Sequence, residues 1–307
     1  MTETPPPNET MNPQPEAPPA AGRVPRVIAV ANQKGGVGKT TTTINLAAGL
    51  VELGQRILVI DLDPQANASS GLGVDQEPGA SIYGALVGDD NILDRIQSTC
   101  VERLDLIPSE LDLAGSEVEV ARSENYLAQL RRAMAPIING NSYDYIIIDC
   151  PPSLGILTMN ALAAADALLI PIQCEYYALE GLSVIHKLVQ QLNESGANRN
   201  LGIDGIVMTM FDARTRLSTD VIKEVNRHFG DHIYNTIIPR NVRLSEAPSF
   251  GRPITTYDSH SAGAKAYRSL AREFLAKAGV DVEPPTDTGG PRVPLFFIRQ
   301  IDPETDW

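Results

Sequence analysis

The residues best suited to chemistry form one short run, Lys34-Gly35-Gly36-Val37-Gly38-Lys39-Thr40-Thr41, placed directly after the apolar segment Val27–Ala31. Three glycines let the backbone bend tightly, so consecutive N–H groups can face the oxygens of a phosphate. A helix opening just after the loop adds its positive N-terminal end to the same anion. Lys39 would reach the outer phosphates of a nucleotide, and the Thr40 hydroxyl would sit on Mg²⁺. The common phosphate-loop pattern wants a glycine five residues before Gly38, where Gln33 stands. The run instead begins with a second lysine, Lys34.

Two further segments place acids at the ends of buried strands. Ile57-Leu-Val-Ile-Asp61-Leu-Asp63-Pro-Gln65 carries carboxylates on alternate residues, which puts Asp61 and Asp63 on one side of an extended chain. Tyr145-Ile-Ile-Ile-Asp149-Cys-Pro-Pro-Ser153 ends four β-compatible residues on one aspartate. In that arrangement Asp149 can hold Mg²⁺, usually through a water. Cys150 reads as a small, partly buried residue. The four histidines are scattered, and His228 and His232 share a helix face only if one helix runs through Gly230. They receive no metal or catalytic role.

Positioning these residues requires a particular scaffold. Strand-like runs at Val27–Ala31, Ile57–Asp61, Leu104–Pro108, Tyr145–Asp149, Ala167–Pro171, Ile203–Met210 and His232–Pro239 alternate with helical patterns. The helices are expected over Thr40–Leu53, Ser116–Ile138, Ser153–Ala164, Ala178–Asn193, Ser218–Phe229 and Ala262–Ala278. Near-continuous apolar strands belong to a sheet covered on both faces. The alternation predicts a doubly wound α/β fold with a mostly parallel sheet, right-handed crossovers and ligands beyond the carboxyl ends of the strands. The stripe Leu179, Leu182, Ile185, Leu188, Val189 and Leu192 is read as core packing.

With 307 residues the chain is long enough for one large domain, expected over 26–280. Residues 1–25 hold eight prolines and residues 281–307 hold five, so both ends are expected to be disordered tails. An apolar island, Pro294–Ile298, interrupts the second. No apolar run approaches the roughly 20 residues of a membrane span. The Pro-rich, acidic beginning lacks the features of a secretory signal. Three cysteines without metal-ligand spacing point to reduced cytoplasmic thiols.

The net charge of −13 argues against nucleic-acid binding by the whole surface. From Arg199 to Arg272, however, eleven Lys/Arg stand against seven Asp/Glu, while the remainder holds 14 against 31. A local basic surface on an acidic protein is compatible with that distribution, as is a set of scattered solvated charges.

Lys34 and the loop that follows it resemble the deviant phosphate-binding motif K-G-G-x-G-K-[ST] of the ParA/MinD group of ATPases. Met208–Arg216, Gln173–Gly181 and Ile238–Ser249 resemble the chromosomal Soj branch of ParA, and the likeness runs from about Val27 to Ala278. It implies a deviant P-loop ATPase that binds ATP and Mg²⁺, in which Lys34 reaches across a homodimer interface to the partner's nucleotide. It implies that Asp63 supports hydrolysis by orienting the attacking water and that Asp61 helps to fix the Mg²⁺ surroundings. It implies that Pro239 and Asn241 pack against adenine and that Arg214, Arg216, Arg240 and Arg243 bind DNA without sequence preference. The implied function is ATP-dependent chromosome or plasmid partition on the nucleoid, with hydrolysis stimulated by a ParB-type centromere-binding protein. The alternative within the group is a MinD-like membrane-cycling regulator of cell division. That role needs a basic amphipathic C-terminal helix, to which the proline-rich end of this chain is badly suited. An iron–sulfur redox relative would need paired cysteines at a dimer face, and the surroundings of Cys100 and Cys150 do not resemble one.

Overall fold

A computed structural model describes residues 24–75, 77–176 and 178–282. The expected tails, the Pro294–Ile298 island and any C-terminal membrane-binding helix therefore lie almost wholly outside the described residues. Seven strands form one sheet: β1 (Arg26–Val30), β2 (Ile57–Asp61), β3 (Gln97–Ser98), β4 (Leu104–Ile107), β5 (Tyr145–Asp149), β6 (Ala167–Gln173) and β7 (Gly202–Thr209). Their order across the sheet is β3-β4-β2-β5-β1-β6-β7, and every pairing is parallel except that of the short edge strand β3 with β4. The doubly wound α/β fold expected from the alternation is the one observed.

Eleven α-helices are described: α1 (Lys39–Glu52), α2 (Asn67–Gly71), α3 (Tyr83–Val87), α4 (Leu113–Arg122), α5 (Gln129–Gly140), α6 (Ile156–Ala164), α7 (Ala178–Ser195), α8 (Arg216–Phe229), α9 (Val242–Glu246), α10 (Ile254–Tyr257) and α11 (Ala262–Lys277). Alternate strand residues feed two cores. Ile28, Val30, Ile57, Val59 and Ile147 pack with α1 and α11. Val27, Ala29, Leu58, Ile60, Ile146 and Ile148 pack with α4 through α8. The α7 stripe belongs to this second core as expected, with Leu182, Ile185, Val189 and Leu192 buried and Leu179 and Leu188 packed at its margin.

Pro171 sits inside β6 without breaking the sheet. β1 pairs with β6 only as far as Leu169, so no ladder bond on that side needs the missing N–H. The Asn32 side-chain amide donates to the Pro171 carbonyl at 2.9 Å, tying the turn after β1 to β6.

Three expectations fail for local reasons. The helix expected over Ser116–Ile138 is two helices. Ser123 is extended, Asn125 is left-handed (φ 57°), and Asn160 of α6 takes over the break by accepting from the Leu130 N–H and donating to the Tyr126 carbonyl. The segment His232–Pro239 touches β7 through one isolated bridge, Ile233 to Ile206, and the chain beyond β7 through another, Pro239 to Phe211, and is not a strand. The Asn235 and Thr236 N–H groups donate to the Glu273 carboxylate of α11 at 2.6 and 2.9 Å, and so are unavailable to a ladder. Finally, α6 begins at Ile156 and not Ser153, because Ser153 and Gly155 still belong to the loop after β5.

Candidate nucleotide site

The carboxyl ends of β1, β2 and β5 meet at one end of the sheet, and a cleft of about 720 Å³ opens above them. That volume lies in the usual range for small-molecule sites. Gly35, Gly36, Gly38, Lys39, Thr40, Thr41 and Asp63 line it together with Pro239, Arg240 and Asn241. Sequence segments some 200 residues apart are therefore brought to the same cavity.

The phosphate loop is shaped by two left-handed glycines, Gly36 (φ 74°) and Gly38 (φ 88°). A side chain at Gly36 would meet nothing within 4 Å, so the requirement there is conformational and not spatial. Gly38 is the N-cap of α1. No side chain caps that helix end and no acid stands in its first turn, which leaves its first N–H groups and its dipole facing the cleft. Lys39 is buried, and its ammonium donates to the Lys34 carbonyl at 3.2 Å. Burial pushes its pKa down, against the opposing pull of Asp149 and Asp63. A buried cation with no carboxylate in direct contact is poised for an anionic ligand.

Asp149 lies beneath the loop, fully buried. The Thr40 hydroxyl donates to its Oδ2 at 2.7 Å and the Thr43 hydroxyl to its Oδ1 at 3.0 Å. The second hydroxyl was not singled out from the sequence. Its signal is the spacing of Thr40 and Thr43, which places both on one face of α1. Asp61 is the register partner of Asp149 on β2 and is equally buried. Burial raises the pKa of both, and at Asp149 the charge of Asp61 adds to it. Two buried carboxylates beside a hydroxyl form a hard-oxygen donor set, and a divalent cation is what would stabilise their ionised forms.

Asp61 itself is spent on structure. Its Oδ2 accepts from the Ser69 N–H at 2.8 Å and the Ser69 hydroxyl at 2.7 Å, while Oδ1 accepts from the Asp63 N–H at 3.2 Å. It thereby folds the turn that carries Asp63 onto α2. Asp63 stands at the cleft wall, and its Oδ1 accepts from the Gln65 N–H at 3.0 Å.

Lys34 and Val37 do not line the cleft. Val37 is buried, and its carbonyl accepts from the Thr209 hydroxyl at 2.8 Å. Lys34 lies outside the cleft and is about two-fifths exposed, with its ammonium on Glu175 Oε2 at 2.6 Å. Sequence reasoning missed Glu175, which precedes α7 and meets Lys34 only in three dimensions. It also missed Arg252 and Tyr267, which line the cleft from the far end of the domain.

Of the arginines, Arg214 is exposed and donates from both Nε (2.9 Å) and Nη2 (2.6 Å) to the Asp212 carboxylate. Arg243 pairs with Glu246 at 2.9 Å and Asp258 at 3.5 Å, and Arg216 pairs with Asp220 at 3.5 Å. Arg240 is exposed but lines the nucleotide cleft. The two segments carrying these residues are joined by backbone bonds, Phe211 N–H to Ile238 carbonyl and Arg240 N–H to Phe211 carbonyl. Cys150 and Cys174 are buried, and burial raises both thiols, Cys174 to about 12. Helix α8 ends at Phe229, so His228 and His232 do not share a helix, and among the described residues no group of three or more His, Cys, Asp or Glu side chains is arranged to hold a metal ion.

Residues 25–203 match the model of a family described as an AAA domain. The sporulation initiation inhibitor protein Soj of Bacillus subtilis is 52% identical over 252 residues, covering 82% of this chain and 98% of Soj. The chain belongs to the Soj/ParA family. The chromosome partitioning protein ParA of Caulobacter vibrioides, another member, is 47% identical over 253 residues, 82% of this chain and 94% of ParA. Among solved structures, cobyrinic acid a,c-diamide synthase from Mycobacterium smegmatis with a bound ATP analogue and magnesium superposes with a TM-score of 0.71. It is 35% identical and covers 86% of this chain and all of that one. In this Soj/ParA chain the phosphate loop follows β1 and the acids end β2 and β5. No helix among the described residues is long and apolar enough to cross a membrane.

Proposed function

We propose that this chain is an ATP-hydrolysing partition protein whose bound nucleotide sets its affinity for DNA. The observation that carries the proposal is the convergence of the phosphate loop, Lys39, Asp63 and the Thr40–Asp149 pair on one cleft whose opposite wall continues into the arginine segments. On this reading the chain works in the cytoplasm on the nucleoid, and a ParB-type protein stimulates hydrolysis.

The loop N–H groups and Lys39 bind the phosphates, and Pro239 and Asn241 hold the base. Thr40, backed by Asp149 and Asp63, would hold a magnesium ion, which neutralises charge on the outer phosphates when bound. Asp63 orients the attacking water, and Asp61 fixes the turn from which it does so. Lys34 does not line its own cleft and is partly exposed, a placement that supports a role in trans on the nucleotide of a second copy. Two copies then present their arginines together, and DNA affinity rises steeply because each phosphate contact releases counterions. Hydrolysis removes the γ-phosphate and loosens the pair.

The deciding experiment is binding to a duplex of arbitrary sequence with ATP, with ADP and without nucleotide at one stated salt concentration. Sizing of Lys34→Ala and Asp63→Ala with Mg-ATP accompanies it. The expected result is DNA binding in ATP alone, a monomeric Lys34→Ala and a dimeric Asp63→Ala that hydrolyses slowly. Nucleotide-independent DNA binding by the parent chain sinks the proposal.

A further inference from the structure

We infer that Thr209 is a positioning residue whose hydroxyl couples the phosphate loop to the arginine segments, so that its removal separates DNA affinity from nucleotide state. The inference rests on the function proposed above.

Thr209 ends β7 and is wholly buried. Its hydroxyl has one proton and two carbonyls within reach, Val37 of the phosphate loop at 2.8 Å and Ile172 of β6 at 2.9 Å. The Thr209 methyl carbon lies 3.8 Å from where a side chain at Gly38 would begin. The hydroxyl therefore joins the loop that touches phosphate to the sheet that does not. On the other side of Thr209 the chain turns sharply, with Met210 held left-handed at φ 53°. Phe211 then exchanges backbone hydrogen bonds with Ile238 and Arg240, and Arg214 and Arg216 follow directly. One path within the protein from phosphate loop to both arginine segments is thus a buried hydroxyl, a constrained residue and a pair of backbone bonds, beside the direct lining of the cleft by Thr209, Met210 and Arg240.

Such a contact has two arrangements, because the proton can serve either carbonyl. A γ-phosphate that draws the loop N–H groups toward itself moves the Val37 carbonyl and not the Ile172 carbonyl. The two nucleotide states thus bias the same hydroxyl differently, which is what coupling requires. Valine matches threonine in shape and removes only the donor. Thr209→Val leaves both carbonyls short of that donor and lets the loop and the strand end move independently. Thr209→Ser restores the hydroxyl.

The test uses the full chain as parent, Thr209→Val and Thr209→Ser. Affinities for Mg-ATP and Mg-ADP, dimer formation, and DNA affinity in each nucleotide state are measured at fixed salt. Thr209→Val is expected to bind nucleotide and dimerise within about threefold of the parent. Its ratio of DNA affinities, ATP state over ADP state, should fall by roughly three- to tenfold, the worth of one buried hydrogen bond, and Thr209→Ser should regain the parent ratio. A parent-like ratio in Thr209→Val overturns the inference while leaving the proposed function intact. Equal loss of nucleotide binding in both variants also overturns it, because the residue is then only packing for the loop. A parent chain with no nucleotide-dependent DNA binding fails the proposed function first, and is told apart by the parent alone. A second measurement does not depend on Thr209→Val folding. Amide exchange over 211–216, which does not line the cleft, should differ between Mg-ADP and Mg-ATP in Lys34→Ala, where coupling can run only within one copy. Identical exchange in the two states overturns the inference.

Discussion

The phosphate side of the cleft and the arginine segments beside it are built differently. At the phosphate end, Lys39, Asp61, Asp63 and Asp149 are buried on strand and helix ends, and each carboxylate accepts at least one hydrogen bond. In the arginine segments, Arg214, Arg216, Arg240 and Arg243 are exposed, only Arg240 of the four lines the cleft, and three of the four share their charge with neighbouring carboxylates. The first region is fixed before any ligand arrives. The second is held in partial neutralisation, so its attraction for an anion depends on displacing its own acids. On the proposed function, rigidity is concentrated where charge must be placed to a fraction of an ångström, and adjustability where a phosphate backbone of any sequence would be accepted.

The comparison breaks most severely at Lys39. Lys39→Ala removes the one buried cation of the phosphate end, and nucleotide affinity should fall by about a hundredfold. Isothermal titration with Mg-ATP checks this, and parent-like affinity would remove the phosphate-site assignment altogether.

A smaller loss is expected from Thr43→Val. Asp149 keeps its bond from Thr40 but loses that from Thr43, so one buried carboxylate oxygen is left without a donor. The cost should be about tenfold in ATPase turnover at saturating magnesium, with ADP affinity changed less. A steady-state assay in parallel with ADP titration decides it. An unaffected turnover would mean that the Thr40 hydroxyl alone orients Asp149.

The other region should respond more gently. Arg216→Ala with Arg243→Ala should weaken DNA binding in the ATP state and reduce the salt slope by about 0.9 for each phosphate no longer neutralised, equally on two unrelated duplexes. Nucleotide affinity and dimer formation should remain. An unchanged slope would locate the DNA surface elsewhere.

The smallest effect has the opposite sign. In Asp212→Asn the bidentate partner of Arg214 loses its charge, and the guanidinium is freed for an external phosphate. DNA affinity should rise about two- to fivefold at low salt, with the gain fading as salt increases. A loss of affinity would mean that Asp212 serves to present Arg214 and not to restrain it. Its carboxyl is held down to about 2 by the hydrogen bonds from Arg214, so acidification above that range should not mimic the substitution.

The same contrast explains what could be read in advance. The strands ending in Asp61 and Asp149 were legible to the residue, because a covered parallel strand is a continuous apolar run and each stops at an acid. The phosphate loop was legible because its glycines answer to backbone conformation alone. The grip of Glu175 on Lys34 was not, nor that of Glu273 on the 235–236 backbone or that of Asn160 on the break between α4 and α5. Each joins positions at least 30 residues apart through a polar side chain whose type has no periodic signature. The edge strand β3 escaped because two residues carry no pattern.

The placing of β1 and α1 has a consequence for the chain as it is made. β1 lies between β5 and β6, and α1 is covered by α11 so closely that a side chain at Gly49 would stand 3.0 Å from Ala271. The phosphate loop precedes its neighbours in the sheet by more than a hundred residues and its covering helix by more than two hundred. A chain being synthesised therefore carries this loop without its sheet neighbours until β5 and β6 have followed. The packing of α11 on α1 is thus a contact that only a chain long enough to include residue 262 can make.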